Sequence, residues 1–417
     1  MIDPDDYQPE PLRQWHVRSV VDEFRRAVEA QSLAPVLSVP AIIGGREVST
    51  GNLESVDPGN YERVVAIASS VGRDAADDVI AGLAEAQSSW SDRSHEDRAE
   101  VLIRAAAWMR DRRDTLAALE VFEAGKPWDE ADADVCEAID FCEYYARQAV
   151  LLGRGGVVQS PPGEDNRLEY FGRGVTAVIG PWNFPLAIPT GLTAAALVAG
   201  NAVALKPAEQ TPAIAYQLVE AFRAAGLPEG VLAFVPGPGE EIGAALVAHP
   251  GVQTIAFTGS KDVGLTIIEE AGRTRPGQAF VKRVIAEMGG KNAMIIDSDA
   301  DLDQAVPAVA QSAFGFAGQK CSAASRVFVM EEIYDEFIDR LIAHSATLEV
   351  GHPSVPSVVV GPVIDADAYA RLTSAVAGTA GNVRFGEADQ TNQPAGWYVP
   401  PAIVDGLPPA DRLMIDE

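Results

Sequence analysis

Apolar side chains recur every three or four residues through the first 150 positions, with charged residues between them. This spacing gives a helix one apolar face that can be buried, so it predicts a helical opening to the chain. We predict helices over residues 12–31, 77–90, 94–113 and 128–152. Residues 153–172 are polar and rich in turn residues, with short extended runs at 157–159 and 167–171. They predict a projecting hairpin of the kind that a partner subunit completes.

After residue 174 the pattern changes to strand and helix in alternation, which favours a parallel, doubly wound sheet of Rossmann type. The predicted strands are 176–179, 202–205, 232–235 and 254–257, and the helices are 189–199, 212–225, 240–248 and 263–271. A second α/β region follows, with strands at 293–296 and 326–330 and helices at 302–314 and 334–347. The expected fold class is α/β. The expected divisions are a helical part (1–152), the hairpin (153–172), the parallel-sheet domain (173–286) and a second α/β domain (287–417).

The chain has 417 residues, of which 47% are hydrophobic, and single cores stop growing at roughly 250–300 residues. We therefore expect more than one core. Residues 186–205 carry no charge, but Pro189, Gly200 and Asn201 interrupt them, which favours a buried helix and strand over a membrane span. The acidic N-terminus has neither the basic nor the apolar part of a secretory signal, so we expect a cytoplasmic protein.

The chain is strongly acidic, with a formal net charge of −28 and no basic cluster. This excludes nucleic acid as an expected partner. Only six of the 32 basic residues are lysines. Such a surface is typical of proteins adapted to concentrated salt, which screens like charges from one another. A coding bias toward arginine explains the same composition equally well.

Three cysteines without a CxxC pair argue against disulfides and against a zinc site, and we expect no metal. Cys136 and Cys142 fall within a predicted helix and are expected to be buried. Cys321 lies instead in a glycine-containing loop, GQKCS (318–322). A loop thiol can be a reactive nucleophile, although a structural cysteine accounts for that position about as well.

Two further polar residues stand at strand ends. Glu287 follows the apolar run 284–286, where partial desolvation would raise its pKa and suit it to act as a general base. Asn183 lies in PWNFP (181–185), whose two prolines make a rigid turn able to hold an amide ready for an oxyanion. Ordinary strand-terminating turns would explain both positions without any chemistry.

The glycine pattern GxGxxG of dinucleotide-binding folds is absent. Gly237, Gly239 and Gly243 have a longer spacing and are a weak signal. FTGS (257–260) opens a helix, so the Ser260 hydroxyl and the first N–H groups could bind a phosphate. A capped helix without a ligand gives the same pattern.

Five motifs in this order resemble those of the aldehyde dehydrogenase superfamily: PWNFP (181–185), KPAE (206–209), FTGS (257–260), EMGGKN (287–292) and GQKCS (318–322). The resemblance runs from about Ile42 to the last residue. Residues 123–128, 143–148, 282–291 and 314–323 are similar to the glutamate-γ-semialdehyde (1-pyrroline-5-carboxylate) dehydrogenase branch, which completes proline breakdown to glutamate. The resemblance makes 1–152 and 173–286 an NAD-binding domain, 153–172 an oligomerisation hairpin and 287–417 a catalytic domain.

The resemblance implies a role for each candidate. The Cys321 thiolate attacks the aldehyde, Asn183 and the Cys321 N–H hold the oxyanion, and Glu287 deprotonates the water that hydrolyses the thioester. Ser322 is similar to a residue that contacts the α-carboxylate of the substrate.

NAD is the implied cofactor. Lys206 and Glu209 would bind the adenosine ribose hydroxyls, and an acid at 209 would repel the 2′-phosphate of NADP. Ser260 would bind the pyrophosphate, and Trp182 would form an adjoining wall. The remaining implied cofactor-binding residues are Gly239, Gly243, Thr258, Gly259, Gly264 and, aligned without gaps, Glu417 at the nicotinamide ribose.

In the family, the region around residue 417 enters an EEIFGP motif, followed by more of the catalytic domain and an oligomerisation strand. The resemblance therefore implies a catalytic domain incomplete at its C-terminus, and a homo-oligomer where that part is present. Two other readings stay open. One is a dehydrogenase for another acid-bearing aldehyde, such as succinate semialdehyde, and the other is an inactive truncated relative.

Overall fold

The computed structural model describes residues 2–156, 158–386 and 395–417. The first half of the described chain contains the helices α1 (Arg18–Ser32), α2 (Ala76–Ser91), α3 (His95–Asp111), α4 (Arg113–Glu123), α5 (Trp128–Gly153), α6 (Ala187–Val198) and α7 (Pro212–Ala224). The second half contains α8 (Ala244–Ala248), α9 (Lys261–Ala271), α10 (Leu302–Phe314), α11 (Tyr334–Ser345), α12 (Ala366–Ala377) and α13 (Arg412–Ile415).

The strands of the described residues form four sheets. They are β1 (Leu37–Val39), β2 (Ala41–Ile43), β3 (Arg46–Val48), β4 (Leu53–Asp57), β5 (Asn60–Ala68), β6 (Val175–Ile179), β7 (Ala202–Lys206), β8 (Leu232–Phe234), β9 (Val252–Gly259), β10 (Arg283–Met288), β11 (Asn292–Ile296), β12 (Ala324–Val329), β13 (Asn382–Phe385) and β14 (Ile403–Asp405). The mixture of helices with mainly parallel strands confirms the predicted α/β class.

The largest sheet has the order β10-β9-β6-β7-β8-β2-β3. Its first five strands are parallel, whereas β2 and β3 extend the sheet in antiparallel fashion. Strands β6 and β7 are buried along most of their length, as expected for parallel strands covered by helices on both faces. Helices α2 and α6 pack on these strands, and α3 and α5 pack behind α6.

The buried apolar side chains form two separate clusters. The first surrounds the large sheet and draws its members from Phe24 through Ala271. The second lies between the β11–β12 pair and helices α10 and α11, and includes Ile296, Val309 and Phe337. This confirms the expectation of more than one core. The domain limits proposed from the sequence remain a prediction.

Several elements differ from the sequence prediction. Helix α1 begins at Arg18 instead of residue 12, because the preceding segment is held against α5, where the Arg13 N–H donates to Asp132 Oδ2 at 3.1 Å. The predicted helix 240–248 is divided into a π-helical turn over Gly239–Gly243 and the short α8. The sheet β1-β5-β4 was not predicted, since its strands are short or partly exposed and show no clear alternation.

The segment predicted as a hairpin folds back on itself without forming a ladder in the described residues. Asn166 Nδ2 donates to the Gln159 carbonyl at 2.8 Å, which brings the two arms together. No strand is assigned between residues 158 and 173, and Val157 lies outside the described residues. The role of this segment in oligomerisation stays a prediction.

The uncharged stretch 186–205 forms α6 and β7, which confirms the prediction of a buried helix followed by a strand. Among the described residues, none of the helices has the length and apolar character needed to cross a bilayer.

Candidate active site

The candidate residues follow four neighbouring strands at the carboxyl edge of the large sheet. Ile179 of β6 lies opposite Lys206 of β7 and Phe257 of β9, and Phe257 lies opposite Ala286 of β10. These four residues therefore form one row across the sheet, with neighbouring strands about 4.8 Å apart. Asn183, Glu209, Ser260 and Glu287 come one to four residues after members of this row, so the parallel topology brings their turns to one edge.

The Asn183 turn is bonded to the loop that carries Cys321. Asn183 Nδ2 donates to the Gln319 carbonyl at 3.0 Å, and Asn183 Oδ1 accepts from the Phe184 N–H at 3.1 Å. These two contacts define which end of the amide is the donor. One N–H of the amide holds the loop, and the second remains for a further acceptor.

The loop before Cys321 has a strained backbone. Phe316 and Ala317 have positive φ angles of 53° and 55°, a conformation that non-glycine residues rarely adopt. Gln319 holds this loop in place, since its Oε1 accepts from the Ile364 N–H at 3.0 Å. Strain of this kind persists where the surroundings fix it, and it is concentrated at functional sites.

Cys321 follows this loop in a turn and is exposed. Its carbonyl accepts from Asn292 Nδ2 at 2.7 Å, so the EMGGKN segment holds the turn that carries Cys321. Cys136 and Cys142 are both buried, as predicted, and burial raises the pKa of Cys136 to about 12. Of the three thiols, only that of Cys321 is accessible to a substrate.

Glu287 lies on the edge strand β10, where its register partner is Thr258 of β9. Two links bring it toward the cysteine loop. A Cβ at Gly290, three residues later, would lie 3.3 Å from the Cys321 carbonyl oxygen, and Asn292 donates to the same carbonyl. The Glu287 side chain is exposed, so the expected partial desolvation is wrong for this structure. The reason is that β10 is an edge strand and its outward face is not covered by described residues.

Lys206 and Glu209 form the floor of a cleft beside two glycines. Lys206 Nζ donates to Glu209 Oε1 at 2.8 Å, and the Gly239 N–H donates to the same oxygen at 2.7 Å. A Cβ at Gly239 would lie 3.5 Å from Glu209 Oε1, and one at Gly243 would lie 3.9 Å from Lys206 Cδ. Side chains at these positions would fill the space above the pair. The cleft therefore fits a ribose, whose hydroxyls can donate to the carboxylate and accept from the ammonium.

Helix α9 begins at the same edge of the sheet, directly after β9. The Ser260 hydroxyl is exposed and caps the helix, accepting from the Val263 N–H at 3.4 Å. Gly264 allows α9 to approach β10, because a Cβ there would lie 2.6 Å from Met288 Sδ. Thr258 and Gly259 end β9 directly before the cap. The helix terminus is thus open to an anion, as the cofactor assignment requires.

The remaining predicted site residues lie next to the turns of Asn183, Cys321 and Glu287. Trp182 is half-buried in the Asn183 turn, and Ser322 is exposed next to Cys321. The Glu417 carboxylate lies against Gly289, where any side chain would overlap with it. Arg371 donates to the Glu417 carbonyl at 3.2 Å. The structure thus brings the last residue next to the Glu287 strand.

The sequence analysis assigned no role to two lysines that contact these turns. Lys320 Nζ pairs with Glu130 Oε1 at 2.6 Å, directly beside the nucleophile, and Lys126 Nζ donates to the Asn183 carbonyl at 3.1 Å. Both lysines belong to segments that resemble the family, and the resemblance gave neither of them a role. A signal was available in the composition, because lysine is scarce in this chain. Three of the six lysines are buried in the structure. Lys126, Lys206 and Lys282 are 0%, 3% and 8% exposed.

Comparison with known proteins shows the family to which the chain belongs. Residues 46–417 match the aldehyde dehydrogenase family model. A 1-pyrroline-5-carboxylate dehydrogenase from Geobacillus sp. (strain WCH70) is 43% identical over 418 residues, which is all of this chain and 81% of the relative. The crystal structure of 1-pyrroline-5-carboxylate dehydrogenase from Thermus with bound NAD has a TM-score of 0.95 and 38% identity, covering 99% of this chain and 80% of that one.

A longer protein, proline utilization A from Bdellovibrio bacteriovorus, contains the same fold. Its crystal structure gives a TM-score of 0.96 and 41% identity over 99% of this chain. This chain spans 43% of that protein.

Proposed function

The chain belongs to the aldehyde dehydrogenase family, and from this membership we propose that it oxidises L-glutamate γ-semialdehyde to L-glutamate with NAD as the hydride acceptor. The semialdehyde is in equilibrium with its cyclic form, 1-pyrroline-5-carboxylate, so the step belongs to proline breakdown. The observation that carries the proposal is the bond from the Asn183 amide to the loop of the only accessible thiol. This bond fixes an amide donor against the loop that carries the proposed nucleophile, and acyl chemistry at a thiol needs both groups.

The first half of the reaction takes place at Cys321. Its thiolate attacks the aldehyde carbon, and the carbonyl oxygen becomes an oxyanion. The free N–H of the Asn183 amide and the backbone N–H of Cys321 are the proposed donors to that oxygen. A donor of this type is worth roughly 10²–10³ in rate. A bound NAD would supply the hydride acceptor for the thiohemiacetal carbon, and the oxidised carbon would remain on Cys321 as a thioester.

The second half of the reaction requires a base. Glu287 is proposed to take a proton from a water molecule, and the resulting hydroxide attacks the thioester carbon. The carbon–sulfur bond breaks, glutamate leaves and the thiol is restored. The exposed position of Glu287 leaves room for water beside it. A positioned base of this kind contributes typically 10²–10⁴ in rate.

The cleft of Lys206, Glu209, Gly239 and Gly243 is proposed to hold the adenosine ribose. The Glu209 carboxylate would accept from the 2′-hydroxyl, whereas a 2′-phosphate would meet a negative charge there. This favours NAD over NADP. Ser260 and the first N–H groups of α9 are proposed to bind the pyrophosphate. Ser322, beside the nucleophile, is proposed to contact the substrate α-carboxylate, and Glu417 the nicotinamide ribose.

A direct test follows NADH formation by absorbance with glutamate semialdehyde and with succinate semialdehyde. We expect kcat/KM for glutamate semialdehyde to be at least about 10-fold higher, because a site that binds a polar group rejects substrates that lack it. A higher value for succinate semialdehyde would overturn the substrate assignment. No NADH with any aldehyde, in a protein whose Cys321 reacts with iodoacetamide, would overturn the oxidation itself.

Assembly into a homo-oligomer is proposed for the same protein. Leu168, Tyr170 and Phe171 are 44%, 47% and 81% exposed along the folded-back segment, which leaves apolar surface for a second copy. Phe171→Asp should lower the mass measured by light scattering. A mass identical to that of the wild type would argue against this surface.

A further inference from the structure

A buried ion cluster stands directly behind the Asn183 turn. Lys126 lies between α4 and α5, and its side chain is fully buried together with those of Glu120 and Asp134. Lys126 Nζ is 3.1 Å from Asp134 Oδ2 and 3.7 Å from Glu120 Oε2. A charge inside a protein is costly unless it is paired and hydrogen-bonded. Packing alone therefore does not account for a lysine at this position.

Burial and the neighbouring charges both shift the pKa values of Glu120 and Lys126. Burial, and after it the neighbouring Asp134 carboxylate, raises the pKa of Glu120 well above its ordinary range. Both effects favour the protonated form of the Glu120 carboxyl group. Burial lowers the pKa of Lys126, but the carboxylates of Asp134, Glu120 and Glu130 outweigh this effect and the net change is upward. The closer ion pair of the cluster is the one between Lys126 and Asp134.

The cluster holds both ends of the turn that carries Asn183. Lys126 Nζ donates to the Asn183 carbonyl at 3.1 Å, and Asp134 Oδ1 accepts from the Ala187 N–H at 3.0 Å. The ammonium also lies 4.4 Å from the ring centre of Phe184. It thus contacts the residue after Asn183 as well, through an attraction between cation and aromatic face.

The same ammonium reaches the strained loop before the nucleophile. Its nitrogen lies 5.3 Å from the ring centre of Phe316, which is fully buried and has a positive φ angle. Lys126 is therefore in contact with both backbone segments that the Asn183–Gln319 hydrogen bond joins. Removing it would loosen both of them without touching the thiol.

We propose that Lys126 is a positioning residue, which sets the Asn183 amide against the Cys321 loop through its bond to the Asn183 carbonyl, with Asp134 as its buried counter-ion. The kinetic effect of this role rests on the proposed function, whereas the contacts of Lys126 with the Asn183 turn do not depend on it. Displacement of an amide by a few tenths of an ångström weakens its hydrogen bond to a developing oxyanion. The effect should therefore appear in kcat more than in KM.

The test uses the pair K126M and K126M/D134N. In K126M the Asp134 charge is left buried without a partner, which should lower Tm by about 5–10 °C. In K126M/D134N both charges are gone, while Asn at 134 still offers a carbonyl to the Ala187 N–H. Tm should return to within about 3 °C of the wild type. The donor to the Asn183 carbonyl remains absent, so kcat should stay about 10–100-fold low and both KM values should change less than about 3-fold.

Two comparisons separate positioning from stability alone. K282M removes another buried lysine, which bonds the His249 carbonyl at the end of α8, and should reduce Tm while leaving kcat within about 3-fold. In an N183A background, adding K126M/D134N should change kcat by less than about 3-fold, because the group it acts through is already missing. Full recovery of kcat in K126M/D134N, or independent losses in the N183A background, would overturn the proposal.

Amide hydrogen exchange keeps the proposal testable if the wild type forms no NADH. The peptide over 181–187 should exchange at least about 10-fold faster in K126M/D134N, and peptides of β9 should be unchanged. Faster exchange in an inactive protein would sink the proposed function and leave the positioning role standing. Unchanged exchange over 181–187 would overturn the positioning role, whatever the activity.

Discussion

The substitution Glu123→Gln should remove a specific part of the pH dependence of stability. Glu123 ends α4, is fully buried and accepts from the N–H groups of Ala213 at 2.8 Å and Ile214 at 2.7 Å. The Ser55 hydroxyl oxygen lies 3.0 Å from the same carboxyl group and 2.7 Å from the Gln210 carbonyl oxygen, two possible acceptors for its one proton. Glu123 thus anchors the start of α7 and the turn that follows Glu209.

The size of the effect follows from the pKa of the carboxyl group. Burial raises the pKa of Glu123 to about 7 from its ordinary 4.5, against the lowering effect of the Ile214, Ala213 and Ser55 donors. The folded protein therefore binds more protons than the unfolded chain between these values. The stability that Glu123 contributes is complete below about pH 4.5 and is lost as the pH rises through about 7. Each unit of pKa difference between the folded and the unfolded state corresponds to about 1.4 kcal/mol, so Glu123 contributes about 3 kcal/mol in total to the free energy of unfolding. About 2 kcal/mol of this contribution is lost between about pH 5.5 and 8.

Urea unfolding measured by circular dichroism at several pH values between about 5.5 and 8 would test this reasoning. Because glutamine does not titrate, the stability of the wild type minus that of Glu123→Gln should fall by about 2 kcal/mol over this range. Glu220→Gln is a matched control on the surface of α7, and its difference should stay within about 0.5 kcal/mol at every pH. A difference that is flat, or that grows with pH, would show that the three donors outweigh burial and keep Glu123 ionised.

Three substitutions and one solvent condition test the rest of the account. Cys321→Ser should lower NADH formation at least about 10³-fold with unchanged NAD binding by tryptophan fluorescence, and residual turnover near the wild type would exclude this nucleophile. Glu287→Gln should give one equivalent of NADH in a burst and then a steady rate about 10²–10⁴-fold lower, whereas a missing burst would place Glu287 before hydride transfer. Glu209→Gln should raise the NADP/NAD ratio of kcat/KM about 10-fold, and a constant ratio would contradict the ribose contact. Salt adaptation predicts that activity and Tm rise as KCl approaches molar levels, and a fall in both would leave arginine bias as the explanation.

The order of the main sheet elements was predictable because buried parallel strands are apolar throughout and lie between recognisable helices. Strands β6, β7 and β9 were placed within one or two residues. The peripheral sheet β1-β5-β4 was not, since only Ser55 and Asp57 of β4 are buried and both are polar. Ser55 is buried against Glu123, to which it is hydrogen-bonded and which lies 68 residues away in the sequence. The local pattern of apolar and polar residues gives no indication of this contact.

The candidate site, like the fold, was predictable from the sequence only in part. The sequence indicated the groups that are proposed to carry chemistry, because Cys321, Asn183 and Glu287 each stand at a break in an apolar pattern. It did not reveal what holds them. The bond from Lys126 to the Asn183 carbonyl joins residues 57 positions apart, and the desolvation expected at Glu287 was wrong because its strand is at the sheet edge. Contacts between residues so far apart in the sequence become visible only in the folded structure. The same holds for the order of the strands within a sheet.

The scarcity of exposed lysine has a practical consequence for handling the protein. All six lysines lie in the described part of the chain, and Lys261 is the exposed one, in the first turn of α9 beside Ser260. Coupling to an amine-reactive resin or dye at a side chain would therefore be directed mainly to this position. A tether there would stand at the mouth of the proposed dinucleotide cleft, so cysteine-free attachment through an engineered tag on a distant surface is the better route to an immobilised catalyst.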